Sequence, residues 1–172
     1  QTIARVASTG GTGRRRTART VTGRRPDRIS PRAETRSRPV TDARPGKIGL
    51  VGYCMSGAFV TVVAAKHADR VACFASYYGT RLITDKPGSP HRLLSEITAE
   101  GYYAFAEHDS YVPLAEVASF EKMLAAAPFP SRSEIEPGTH HGYAFTDRGN
   151  YNEAASEKHY ERMLALYRRH LG

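Results

Sequence analysis

From Lys47 onward the apolar positions fall in short bursts that alternate with helical spacings. The run "KIGLVGY" has a β-branched and aromatic bias and predicts a buried strand. "MSGAFVTVVAAKHAD" predicts a helix that is apolar nearly all round, as one packed centrally on a sheet would be. "RVACFASYYG" predicts a second strand, and "TRLITDKPGSPHRLLSEITAE" a stretch that is mostly loop, with Pro87, Gly88 and Pro90 as breakers. "GYYAFAEHD" then predicts a third strand, "PLAEVASFEKMLAAA" a helix opened by Pro113, and "SRSEIEPG" a weaker fourth strand. The closing "NYNEAASEKHYERMLALYRRHLG" predicts a long amphipathic helix, with Ala155, Tyr160, Met163, Leu164, Leu166 and Tyr167 near helical spacing. Strands separated by helices argue for a parallel α/β sheet, and no internal repeat is visible.

Residues 1–46 have a different pattern. Ile3, Val6, Val21, Ile29 and Val40 are their only large apolar residues, with no aromatic and no steady period. A segment so poor in apolar mass cannot offset its ordering entropy, so a disordered arm is expected there. The first methionine is Met55, and Arg, Gly, Pro, Thr and Ala are what a GC-rich gene yields out of frame. The arm is therefore a candidate for out-of-frame sequence, which the gene itself would test.

Charge sharpens this division. Of the 25 Lys and Arg residues, 12 lie in residues 1–46, all arginine, against only Asp27, Glu34 and Asp42. The net charge of +8 thus belongs to the arm, and the body from Lys47 is close to neutral. At 172 residues the chain suits one domain with a real core. Its two cysteines, Cys54 and Cys73, are too few for a disulfide framework, so a reducing compartment, the cytoplasm, is expected. The apolar runs are strand-sized, which predicts no membrane span. Arg14–Arg16 lack the apolar segment that an export signal would need.

The chemistry gathers at strand ends. Gly52-Tyr53-Cys54-Met55-Ser56-Gly57 sits between a predicted strand and a predicted helix, the context of a nucleophile elbow, in which small residues let the chain turn sharply beneath the nucleophile. Cys54 also falls at a helix N-terminus, which favours thiolate over thiol. In α/β-hydrolases the partners follow in the order acid, then histidine. Asp109 comes just after the strand "GYYAFAEH", and His141 comes after the fourth strand in "THHGYAF". Glu107 competes with Asp109 but lies inside a strand end, less free to reach a histidine. His140 adjoins His141, and only one of the two can face the cysteine. A metal site of His108, Asp109, His140 and His141 lacks ligands at helical i, i+4 spacing, and a triad already accounts for two of the four.

The segments "GYCMSG", "AEHDSYVP", "HHGYAF" and "EKHYERMLALYRRHL" resemble the dienelactone hydrolase family of α/β-hydrolases over about residues 47–171. "YYGTRLITDKPGSPHRLL" resembles a loop found in one group of its members. The resemblance implies an α/β-hydrolase-type parallel sheet with flanking helices. It also implies Cys54 as nucleophile, Asp109 as the acid orienting the histidine, His141 as base, and the Met55 backbone N–H as an oxyanion donor. Candidate substrate contacts are Arg81, Tyr53 and Phe145. The implied reaction is hydrolysis of a small-molecule ester or lactone, with no cofactor and no metal.

Several positions depart from the family. Ser56 stands where many members have glycine. Phe145 stands where well-studied members carry an arginine for the substrate carboxylate, with Arg148 further on. The arm occupies the place of an N-terminal half that contributes about four strands, a second oxyanion donor and a glutamate that helps activate the cysteine. The resemblance therefore implies a sheet without its N-terminal half, an exposed apolar edge and self-association through it. Two rivals follow: an inactive truncated or frame-shifted fragment, and a nucleic-acid-binding module whose arginine arm neutralises phosphates without reading sequence. The body, with its tyrosines read as core packing, offers nucleic acid little else.

Overall fold

A computed structural model of the chain describes residues 46–172. The arm expected over residues 1–46 lies, apart from Gly46, outside the described residues. Four parallel strands stand in chain order: β1 (Ile48–Tyr53), β2 (Val71–Tyr77), β3 (Glu100–His108) and β4 (Ser131–His140). Helices α1 (Met55–Lys66) and α2 (Leu114–Ala125) form two of the crossovers, and α3 (Glu153–Leu171) follows β4. The parallel α/β sheet anticipated from the pattern is therefore present.

Alternation along the strands divides the core in two. Phe74, Tyr103 and Phe105 pack with Ala64, Leu93, Val117 and Phe120, beneath α1 and α2. Cys73, Ala75, Tyr77, Tyr102 and Ala104 point the other way and pack with Tyr143, Ala155 and Leu166, beneath α3. Successive side chains leave opposite faces of a strand, so a sheet covered on both sides must be apolar at nearly every position. β2 meets that demand, being buried along almost its whole length.

Three boundaries differ from expectation. Pro90, read as a breaker, instead opens a short 3-10 helix over Pro90–Glu96, where a residue without an N–H costs nothing. The fourth strand runs on to His140, because His108 and His140 still pair beyond a register shift in β3 and β4. Helix α1 stops at Lys66 rather than Asp69, its last turn closed by the His67 N–H on the Val63 carbonyl at 2.9 Å. That helix is also less enclosed than its composition suggested. Met55 and Phe59 are 53% and 58% exposed.

β1 lies at the edge of the sheet, and no strand among the described residues pairs with its outer side. The Ile48 N–H reaches the Arg70 carbonyl at 2.8 Å and the Cys54 N–H reaches the Tyr77 carbonyl at 3.1 Å. Even-numbered residues thus face β2, and Gly49, Val51 and Tyr53 turn their backbone groups outward. At Tyr53 the edge is closed by a side chain: the Ser56 hydroxyl accepts from the Tyr53 N–H and donates to its carbonyl, both at 2.7 Å.

Candidate active site

The turn from β1 into α1 is built around Cys54. Its backbone takes φ 55° and ψ −124°, a conformation that L residues adopt only under constraint. The constraint is visible on every side. The Cys54 N–H is held by Tyr77, and its carbonyl accepts from the Gly57 and Thr80 N–H groups at 3.0 and 3.1 Å. A Cβ on Gly52 would lie 2.3 Å from the Ser56 carbonyl oxygen, and one on Gly57 would lie 2.4 Å from Ser76 Oγ and 2.6 Å from Gly79 Cα. Only glycine fits either position, so the turn is as sharp as the sequence suggested. Met55 begins α1, which leaves its N–H without an intrahelical acceptor beside the half-buried Cys54.

The histidine and the acid arrive from the neighbouring strand ends. Asp109 follows β3, and its side chain is only 1% exposed. Its Oδ1 accepts from the backbone N–H groups of Tyr111 at 2.8 Å and Val112 at 3.3 Å. Oδ2 lies 2.7 Å from His141 Nδ1. A carboxylate in this position makes Nδ1 the donor and leaves Nε2 as an acceptor. That Nε2 is buried and has no partner of regular hydrogen-bond geometry. The ring is seated between Tyr78 and Tyr111, with centroids 5.0 and 4.8 Å away. Burial opposes a charge on His141, but the Asp109 hydrogen bond and the nearby Cys54 side chain outweigh it and raise its pKa above the ordinary 6.5.

Cys54 and His141 share one cavity of about 210 Å³, completed by Tyr53, Tyr78, Gly142, Phe145 and Arg148. A second cavity, of about 420 Å³, also borders His141. It is polar, with His108, Ser110, His140 and Asn150 in its wall, and it shares His141, Gly142 and Arg148 with the first.

Sequence comparison gives this arrangement a lineage, since residues 7–171 match the dienelactone hydrolase family. The chain belongs to the dienelactone hydrolase family. The match takes in most of the first 46 residues, a wider span than the motifs alone suggest. A Synechocystis protein provisionally named a carboxymethylenebutenolidase is 26% identical over 133 residues, covering 76% of this chain and 53% of its own length. The carboxymethylenebutenolidase of Rhodococcus opacus is 24% identical, covering 72% and 50% respectively. The chain thus spans about half the length of the curated relatives it matches. The crystal structure of a provisionally named dienelactone hydrolase from Klebsiella pneumoniae aligns with a TM-score of 0.65 at 21% identity, over 71% of this chain and 52% of that one. That likeness bears on the fold, an α/β-hydrolase-type sheet.

Among the family positions anticipated from the sequence, Tyr53, Cys54, His141 and Phe145 line the shared cavity, with Asp109 behind His141. Arg81 is elsewhere. It borders an apolar groove of about 320 Å³ over α1, with Met55, Phe59 and Val62, and takes a left-handed φ of 59°. Glu107 is engaged by the Gly138 N–H at 2.7 Å, away from His141. His140 is the exposed last residue of β4, its ring 5.2 Å from that of His108. Sequence reasoning gave no site role to Tyr78, Tyr111 or Arg148. Tyr78 directly follows β2 and Tyr111 lies just beyond the end of β3, strand-end positions that could have drawn attention to them. Arg148 falls in a loop with no periodicity to place it.

Proposed function

We propose that this chain carries the acyl-transfer site of an ester or lactone hydrolase, with Cys54 as nucleophile, His141 as general acid and base, and Asp109 as the group that orients His141. The observation that carries the reading is the state of His141. Its Nδ1 is tied to a buried carboxylate, while its Nε2 is buried, unpartnered and in the cavity of a cysteine on a constrained turn.

The chemistry follows from these positions. With Nδ1 held as the donor to Asp109, His141 Nε2 is free to take the thiol proton of Cys54. The thiolate sulfur adds to the ester or lactone carbonyl, and the carbonyl π electrons move to oxygen, where the Met55 N–H at the helix N-terminus donates to it. Collapse breaks the acyl C–O bond, and the leaving alkoxide takes the proton from His141 Nε2. Neutral His141 then removes a proton from water as it adds to the thioester, and the carboxylic acid departs with Cys54 as thiolate again. Asp109 holds the imidazole in the tautomer that both steps require.

The cavity suggests the substrate. Tyr53, Tyr78 and Phe145 give it flat apolar walls, and Arg148 gives it a cation, a combination suited to a small unsaturated acyl group bearing an acidic substituent. The name carboxymethylenebutenolidase, carried by relatives, agrees with such a substrate. Arg81, on its separate groove beside Met55, is suited to contact a longer leaving group. Turnover of an activated aryl ester tests the reading. Cys54→Ala and His141→Ala should each abolish nearly all activity without multiplying when combined, and Cys73→Ala should leave it intact. Activity that survives Cys54→Ala would refute the assignment.

A further inference from the structure

We propose that His159 is a positioning residue for the Cys54 site and acts through the phenol of Tyr53. His159 lies on α3, 2% exposed, with its Nε2 2.6 Å from the Tyr53 hydroxyl. Its Nδ1 is 3.0 Å from the Ser156 carbonyl, an atom that can only accept, so Nδ1 carries the proton and Nε2 receives the one from Tyr53. Burial keeps the imidazole neutral by lowering its pKa and pushes the Tyr53 phenol up to about 12, so neither partner gives up that arrangement near neutrality.

What Tyr53 touches makes this contact more than core packing. It is the residue before Cys54, and its ring forms part of the shared cavity. The ring lies 4.9 Å from Phe145 and 6.0 Å from Tyr78, and Tyr78 in turn packs on the His141 ring. A loose Tyr53 therefore loosens both the turn that presents the nucleophile and the aromatic seat of the base. The start of α3 and its N-cap residue Asn152 grip the loop that follows His141. The Ser156 hydroxyl donates to the Ala144 carbonyl, and the Asn152 N–H donates to the Tyr143 carbonyl, each at 3.0 Å. The Tyr77 hydroxyl donates to the His159 carbonyl at 2.9 Å, which anchors this part of α3 to the sheet.

The inference rests on Cys54 as the reactive thiol, and alkylation by iodoacetamide tests it without any ester. The second-order rate at Cys54 is measured at neutral pH, with the adduct located by peptide mass mapping and the melting temperature recorded alongside. His159→Phe keeps a ring but removes the acceptor and should slow alkylation about threefold to tenfold, the scale of one hydrogen bond. His159→Gln restores an acceptor for the phenol and should return the rate close to that of the parent chain. In a Tyr53→Phe background, His159→Phe should slow it no further. A His159→Phe chain that melts lower yet alkylates at the parental rate would overturn the proposal, leaving a purely structural histidine. Equal slowing with and without the Tyr53 phenol would overturn it as well. Should His159→Phe fail to fold, Tyr53→Phe alone deletes the same hydrogen bond, and a parental rate there is decisive against the proposal. A parental Cys54 no faster than free cysteine is a different failure, because it overturns the reading of the site itself and this proposal with it.

Discussion

Replacing Asp109 with asparagine changes one atom and should disable the site. Asp109 Oδ1 accepts from the Tyr111 and Val112 N–H groups, so an asparagine must place its carbonyl oxygen there and turn its amide toward His141. An amide NH₂ only donates. The proton on His141 Nδ1 must then leave for Nε2, which belongs to the ring that lines the shared cavity, and the proposed base becomes a donor. In serine triads this tautomer error costs about 10⁴ in turnover, and a loss of that order is expected here. The stability effect has a definite sign. Asp109 raises the His141 pKa, so its stabilising contribution is fully present below the ordinary 6.5 and is lost as pH rises through the folded value. With side chains only 1% and 15% exposed, the lost charge-assisted bond should cost about 1.5–3 kcal/mol on the acid side. That deficit should shrink toward alkaline pH. Aryl-ester turnover, urea unfolding across a pH series and an NMR titration of His141 measure the three consequences. Turnover within an order of magnitude of the parent, with an unshifted His141, would show that Asp109 does not set the His141 tautomer.

Two further outcomes follow from the turn and the edge. Cys54→Gly relieves a φ of 55° and should raise stability by about 1 kcal/mol while abolishing activity, which paired urea unfolding and turnover measurements check. Ser56→Ala removes the hydroxyl that closes the outer edge at Tyr53. It should cost about 0.5–1.5 kcal/mol and increase self-association through β1, read by size-exclusion chromatography over a concentration series. An unchanged elution profile would show that Ser56 does not guard the edge.

The parts of the fold and site that were legible in the sequence are those with a local physical cause. Gly52 and Gly57 flank Cys54 because no Cβ fits there, and a steric requirement of that kind leaves its mark in the sequence itself. The alternation of Phe74 and Ala75, or of Tyr103 and Ala104, follows from a sheet covered on both faces. Asp109 and His141 could be ordered along the chain because each follows a strand. Long-range contacts left less trace. His159 reads as one more residue on an amphipathic helix, and its tie to Tyr53 spans 106 positions. Arg81 is a candidate substrate contact by its loop, but the sequence does not show that it borders a different groove from the one beside Cys54. Ser56 shows in the sequence only as a departure from the family's glycine, and the hydrogen bonds that give it a purpose depend on β1 having an open side.

In the proposed reaction Cys54 carries the acyl group. Rapid acid quench of the chain with an activated ester, followed by intact-mass and peptide mass analysis, tests it most directly. A single acyl adduct on the peptide containing Cys54, absent from Cys54→Ala and persisting longer in His141→Ala, is the predicted result. An adduct on another residue, or ester turnover with the Cys54 peptide never acylated, would contradict it.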